Sequence, residues 1–177
     1  MSIDNLSKMI STSIKDRFIY EEINEVRNDL ISLAGDTIPN KNVLRLRRNY
    51  IMLEPKVATW KTLLLVEIEN RTSLKNVLYW ASLVQDYLID PETADLYLFI
   101  CFKEEINLES CLRIESTEQF CRKYVLRPSE QLEDLIQRSF LGKIEGAFQA
   151  SIQNDPLQNA FNLTRSKFDW LTEDEQF

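Results

Sequence analysis

Across residues 3–33, Phe18, Ile23, Val26, Leu30 and Leu33 recur at helical spacing, which predicts helix over that stretch with Gly35 as its stop. Glu22 shares the face of Phe18 and Val26, so this carboxylate falls beside an apolar stripe. Residues 36–42 (DTIPNKN) concentrate turn formers and read as a connection. The period then changes. Residues 43–53 are strand-like, Glu54-Pro55 interrupts them, 57–60 resume, and 62–69 (TLLLVEIE) form the clearest strand of the chain. An antiparallel pair or a meander is the economical arrangement. Residues 73–89 place Leu74, Val77, Leu78, then Leu83 or Val84, and Tyr87 or Leu88 on a helical stripe ended by Asp90-Pro91.

Residues 94–102 (ADLYLFICF) are apolar without alternation, the pattern of a central strand covered on both faces. Because a helix separates this strand from TLLLVEIE, the two are expected to run parallel through a right-handed crossover. Further on, 103–109 read as a polar loop, 111–114 as a short strand, and Ser116 or Thr117 as the cap of a short helix reaching Lys123. Pro128-Ser129-Glu130 opens a long helix carrying Leu132, Leu135, Ile136, Phe140, Ile144, Phe148 and Ile152. Gly142 and Gly146 lie within it and mark either close approach of another helix or a break at 141–142. After Asp155-Pro156 comes a tail with Phe161, Phe168 and Trp170. The expected fold is α/β, a mixed sheet with N-terminal helices and a C-terminal helical extension. Residues 1–127 form its core, and 128–177 belong to the same domain or to an appendage.

Composition narrows the chemistry. The 177 residues include no histidine, which excludes Ser-His-Asp and Cys-His catalysis and any metal site that needs imidazole. Cys101, Cys111 and Cys121 match no zinc or redox spacing and read as buried free thiols. No run resembles a signal peptide or a membrane span, so a cytoplasmic protein that does not engage membranes is expected. A formal net charge of −7 argues against nucleic-acid affinity spread over the whole surface but leaves room for a local basic strip. Arg45, Arg47 and Arg48 make one such group.

The strand TLLLVEIE sets Glu67 and Glu69 on one sheet face, about 7 Å apart along the backbone. Such a pair is either solvated at a strand end or neutralised by a cation. With Glu22 on a first helix, Glu54 near a strand end, and helix, strands, helix, strand in order, the chain resembles the PD-(D/E)xK nuclease-like superfamily, whose core is αβββαβ. The resemblance rests on LEPKVATWKTLLLVEIEN, residues 53–70, and the helix that follows. It implies that Glu54, Glu67 and Glu22 hold Mg²⁺, with Glu69 standing where most members carry lysine. Glu69 would then act as base or extra ligand, and Lys56, Lys61 or Arg71 would assist the metal in charge stabilisation.

Three functions follow as expectations. The first is a nuclease-like accessory subunit that has given up catalysis and serves as a protein-interaction module of a DNA-directed bacterial system of the antiviral-defence kind. A larger partner is implied, an ATPase among the candidates, with DNA reached through the complex and Phe161, Phe168 and Trp170 as the docking segment. The second is an active Mg²⁺-dependent DNA phosphodiesterase using Glu54, Glu67 and Glu69. The third is a soluble interaction protein unrelated to nucleic acid.

Overall fold

A computed structural model describes residues 3–15, 18–20, 25–48 and 60–142. The chain divides into two compact units, Met1–Ile136 and Gln137–Phe177. The first holds a five-stranded mixed sheet in the order β1-β2-β3-β4-β5. Its strands are β1 (Phe18–Tyr20), β2 (Asn40–Arg48), β3 (Trp60–Ile68), β4 (Leu96–Phe102) and β5 (Arg122–Val125). β1, β2 and β3 are antiparallel neighbours, whereas β3, β4 and β5 run parallel.

The helix α3 (Leu74–Tyr87) links β3 to β4, and α4 (Leu108–Ser116) links β4 to β5. The α/β class, the adjacency of TLLLVEIE and DLYLFICF, and the helix between them are as the apolar pattern predicts. Both strands are buried along nearly their whole length because helices cover them. On one sheet face Leu64, Val66, Leu98, Ile100 and Val125 pack with Val77, Trp80 and Val84 of α3 and with Cys111 and Ile114 of α4. The helix α2 (Glu25–Ser32) joins this layer through Leu30, whose carbonyl accepts the Trp80 indole N–H at 2.8 Å. The helix α1 (Ile3–Ser13) touches β2 and β3, and buries Leu6 and Ile10, one helical turn apart.

The N-terminal stretch departs from the single helix that its spacing predicts: α1 and α2 are separate, and Phe18 lies on β1 between them. The run 11–13 (STS) accounts for the stop, since all three hydroxyls donate back to helix carbonyls (Ser11 to Ser7, Thr12 to Lys8, Ser13 to Ile10) and compete with continued helix. Gly35 lies just past α2 with φ +56°, a left-handed turn for which glycine is suited.

Two further expectations are corrected. Residues 111–114 are helical, not strand: the Asn107 side chain accepts the Ser110 N–H at 2.8 Å and starts α4, with Cys111 and Ile114 on its buried side. The span 117–123 is loop followed by β5 and not a helix. The buried Lys123 ammonium donates to the carbonyls of Thr117, Gln119 and Cys121, drawing the loop around itself, and Phe120 takes φ +66°. Burial pulls that ammonium below the usual lysine range.

The helix α5 (Leu132–Arg138) is shorter than the stripe predicts and ends at Ser139. In the second unit a Cβ on Gly142 would stand 1.9 Å from the Gln137 carbonyl oxygen, so the close approach at this glycine is to the chain's own preceding turn. No helix among the described residues is long and apolar enough to cross a membrane.

Candidate functional site

The carboxyl ends of β3 and β4 lie side by side, the position where open α/β sheets commonly bind ligands. Parallel register sets Glu67 opposite Cys101, and antiparallel register sets it opposite Asn40. Glu67 is 9% exposed and accepts a hydrogen bond from the Asn40 amide at 3.1 Å. Glu69 follows the strand, and its carboxylate meets the Lys103 ammonium at 2.5 Å. That hydrogen bond holds Lys103 above the usual lysine range. The two glutamates are therefore managed separately, one by an amide and one by an amine. Beyond them the Asn70 side chain accepts the Thr72 N–H at 3.1 Å, forming the turn that leads into α3.

Lys61 is not brought to this end. It stands six positions before Glu67 along an extended strand, a distance of about 20 Å. There its ammonium meets Asp95 at 2.6 Å, and Asp95 also accepts the Tyr97 hydroxyl at 3.0 Å. Burial, reinforced by that carboxylate, pushes the Tyr97 hydroxyl above the usual phenol range.

Two of the three arginines, Arg45 and Arg47, gather at one indole. Arg45 is 3% exposed, its Nη2 donates to both Glu92 oxygens at 3.0 and 3.2 Å, and its guanidinium stacks over Trp60 at 5.2 Å. Arg47 stacks over Trp60 at the same distance. Arg48 pairs through its backbone position with Phe18, and its side chain lies outside the described residues. Glu22, Glu54, Phe161, Phe168 and Trp170 also lie outside them.

Among the described residues no group of three or more Cys, Asp or Glu converges in a way that could hold a metal ion. Of the expected Mg²⁺ ligands Glu67 alone lies among the described residues, and it is engaged with Asn40. Sequence reading missed Lys103 as the partner of Glu69. Its signal was the parallel register, since Cys101 opposite Glu67 carries Lys103 to Glu69 two residues later.

Residues 59–163, more than half of the chain, match the family model MComp1, described as ABC-three component (ABC-3C) system Middle Component 1. The chain belongs to this family. It is thus a component of a multi-protein system, and other protein components are implied. No curated protein and no solved structure matches it. Within the MComp1 span fall β3, α3, β4, α4, β5 and α5, together with Lys61, Glu67, Glu69, Lys103 and Phe161. Glu22, Arg45, Arg47, Arg48, Glu54, Phe168 and Trp170 fall outside it.

Proposed function

We propose that this MComp1 chain is a nuclease-like accessory subunit that acts as a protein-interaction module of a DNA-directed defence system containing an ATPase. The observation that supports the reading is the state of the described charges: Lys61 is ion-paired at one end of β3 and Glu69 just past the other, so the two residues expected to be catalytic lie apart. A site of that kind requires convergence on one reacting centre. Membership in a middle-component family supports the role of linking other polypeptides. Phe161, Phe168 and Trp170 supply the aromatic docking segment, since burying such side chains dominates affinity at protein interfaces.

One observation favours a second reading. Lys103 beside Glu69, at the same sheet end as Glu67, restores an amine to the acidic pair. A phosphodiesterase drawing on Glu22, Glu54, Glu67 and Glu69 with Mg²⁺ would use it to offset phosphate charge.

Incubating the purified chain with supercoiled DNA and Mg²⁺ separates the two. The accessory subunit leaves the DNA intact, and Glu67→Ala changes nothing. Metal-dependent nicking that disappears in Glu67→Ala would overturn the first reading and establish the second.

A further inference from the structure

At the end of the sheet opposite Glu67 lies a pocket of about 530 Å³, walled by Arg45, Trp60, Tyr87, Ile89, Asp90 and Glu92 among others. This volume is in the range of pockets that take a side chain or a small ligand. Behind its wall lies unmet hydrogen-bonding capacity: Arg45 lines the pocket, and its Nε and Nη1 are buried without an acceptor. Across the β2–β3 ladder Arg45 pairs with Thr62, whose buried Oγ1 also has no partner. A guanidinium offers a planar fork suited to a carboxylate, yet Glu92 engages only Nη2. Buried donors left without acceptors are costly, and an acceptor that satisfies them is correspondingly favoured.

Two exposed side chains with large apolar surface line the pocket. Ile89 is 81% exposed and Tyr87 43% exposed, unusual for large apolar side chains beside a built cavity. Asp90 and Glu92 on the rim and the net charge of −7 disfavour a polyanion such as a nucleoside triphosphate. One carboxylate next to an apolar side chain meets both the buried cation and the exposed rim.

We propose that this pocket is a docking socket for an acidic-apolar segment of a partner polypeptide, whose carboxylate engages Arg45 while the neighbouring apolar side chain lies against Trp60 and Ile89. The proposal rests on the reading of the chain as an interaction subunit. Because Arg45 Nε and Nη1 do not meet solvent, the incoming carboxylate displaces Glu92, and the guanidinium turns toward the pocket. Glu92 is thereby an internal competitor for the site.

The test is an NMR titration of the isotopically labelled full chain with the blocked peptide Ser-Glu-Leu-Phe-Ser, its Gln-for-Glu counterpart, phenylacetate and ATP. The readout is the Trp60 indole N–H, separated from those of Trp80 and Trp170 by comparison with Trp60→Phe. The acidic peptide shifts this signal, and the glutamine peptide binds about tenfold more weakly, the loss expected for a charge-assisted hydrogen bond. Ile89→Ser, at an exposed position that leaves the fold intact, weakens the acidic peptide by about threefold or more through lost apolar contact. Glu92→Gln tightens it. No shift with the acidic peptide, equal affinity for the two peptides, or weaker binding by Glu92→Gln would overturn the proposal. So would phenylacetate binding as tightly as the peptide, which marks a small-acid site, or ATP displacing the peptide, which marks a nucleotide site. No cleavage is measured here, so failure of the socket leaves the accessory-subunit reading to be decided by the nicking assay.

Discussion

Cys101 sits on β4 opposite Glu67, and burial, reinforced by that carboxylate, pushes its thiol up to about 12. Burial, opposed by the nearby Lys123 ammonium, pushes the Cys121 thiol up to about 11, and Cys111 is buried as well. The thiolate is the reactive form, so these groups are inert in the folded chain. Alkylation by iodoacetamide near pH 8 should be at least about a hundredfold slower in the native protein than in guanidinium, where the thiols return to about 8.5. The same shifts give alkaline sensitivity. Because the folded values are raised, the stability they contribute is fully present below about 8.5. It is lost as pH climbs toward about 11 for Cys121 and about 12 for Cys101. Burial of Cys101 was legible in its apolar run. The fate of the charged residues was not: Lys61 is near Glu67 in sequence, but an extended strand carries it to the other end of the sheet, whereas Lys103, far away in sequence, arrives through parallel register.

At the scale of elements, short mixed segments are held by single polar contacts. Asn107→Ala removes the side-chain acceptor at the start of α4 and should lower stability by about 1 kcal/mol, read as a reduced urea midpoint with unchanged slope. Glu115 closes the outer edge of β5 by accepting the Val125 N–H at 2.8 Å and pairing with Arg127 at 2.7 Å. Glu115→Ala leaves both groups without that acceptor and should cost about 2 kcal/mol. It should also raise light scattering, because an unpaired N–H on an edge strand invites strand addition. Such contacts explain the misread elements. LESCLRIES is too short and too mixed for periodicity to separate helix from strand, and α4 depends on the Asn107 cap. Likewise, the apolar residues of 3–33 keep helical spacing across a break that the STS hydroxyls and a strand impose.

For the whole molecule, β3, α3 and β4 set the architecture, and they were the most legible part of the sequence. Two strongly apolar runs joined by a helix have few alternatives to parallel neighbours in one sheet. The flanking strands β1 and β5, of three and four residues, carry too little pattern of their own and are placed by pairing with longer neighbours. The candidate site was legible as a pair of glutamates at a strand end, but whether they converge on a metal depends on side chains from other elements. What the assembled molecule offers is a sheet with Lys61 and Glu69 ion-paired and, at the end opposite Glu67, a pocket lined by Arg45 and the exposed Ile89 and Tyr87. Family membership makes the chain one component of a multi-protein system. The most direct test is the native mass of the chain co-expressed with the remaining components of its own three-component system, compared with Glu67→Ala and with a chain truncated before Asp155. A stable complex that survives Glu67→Ala and is lost on truncation is the predicted result. Elution of the intact chain alone, with every other component free, would contradict it.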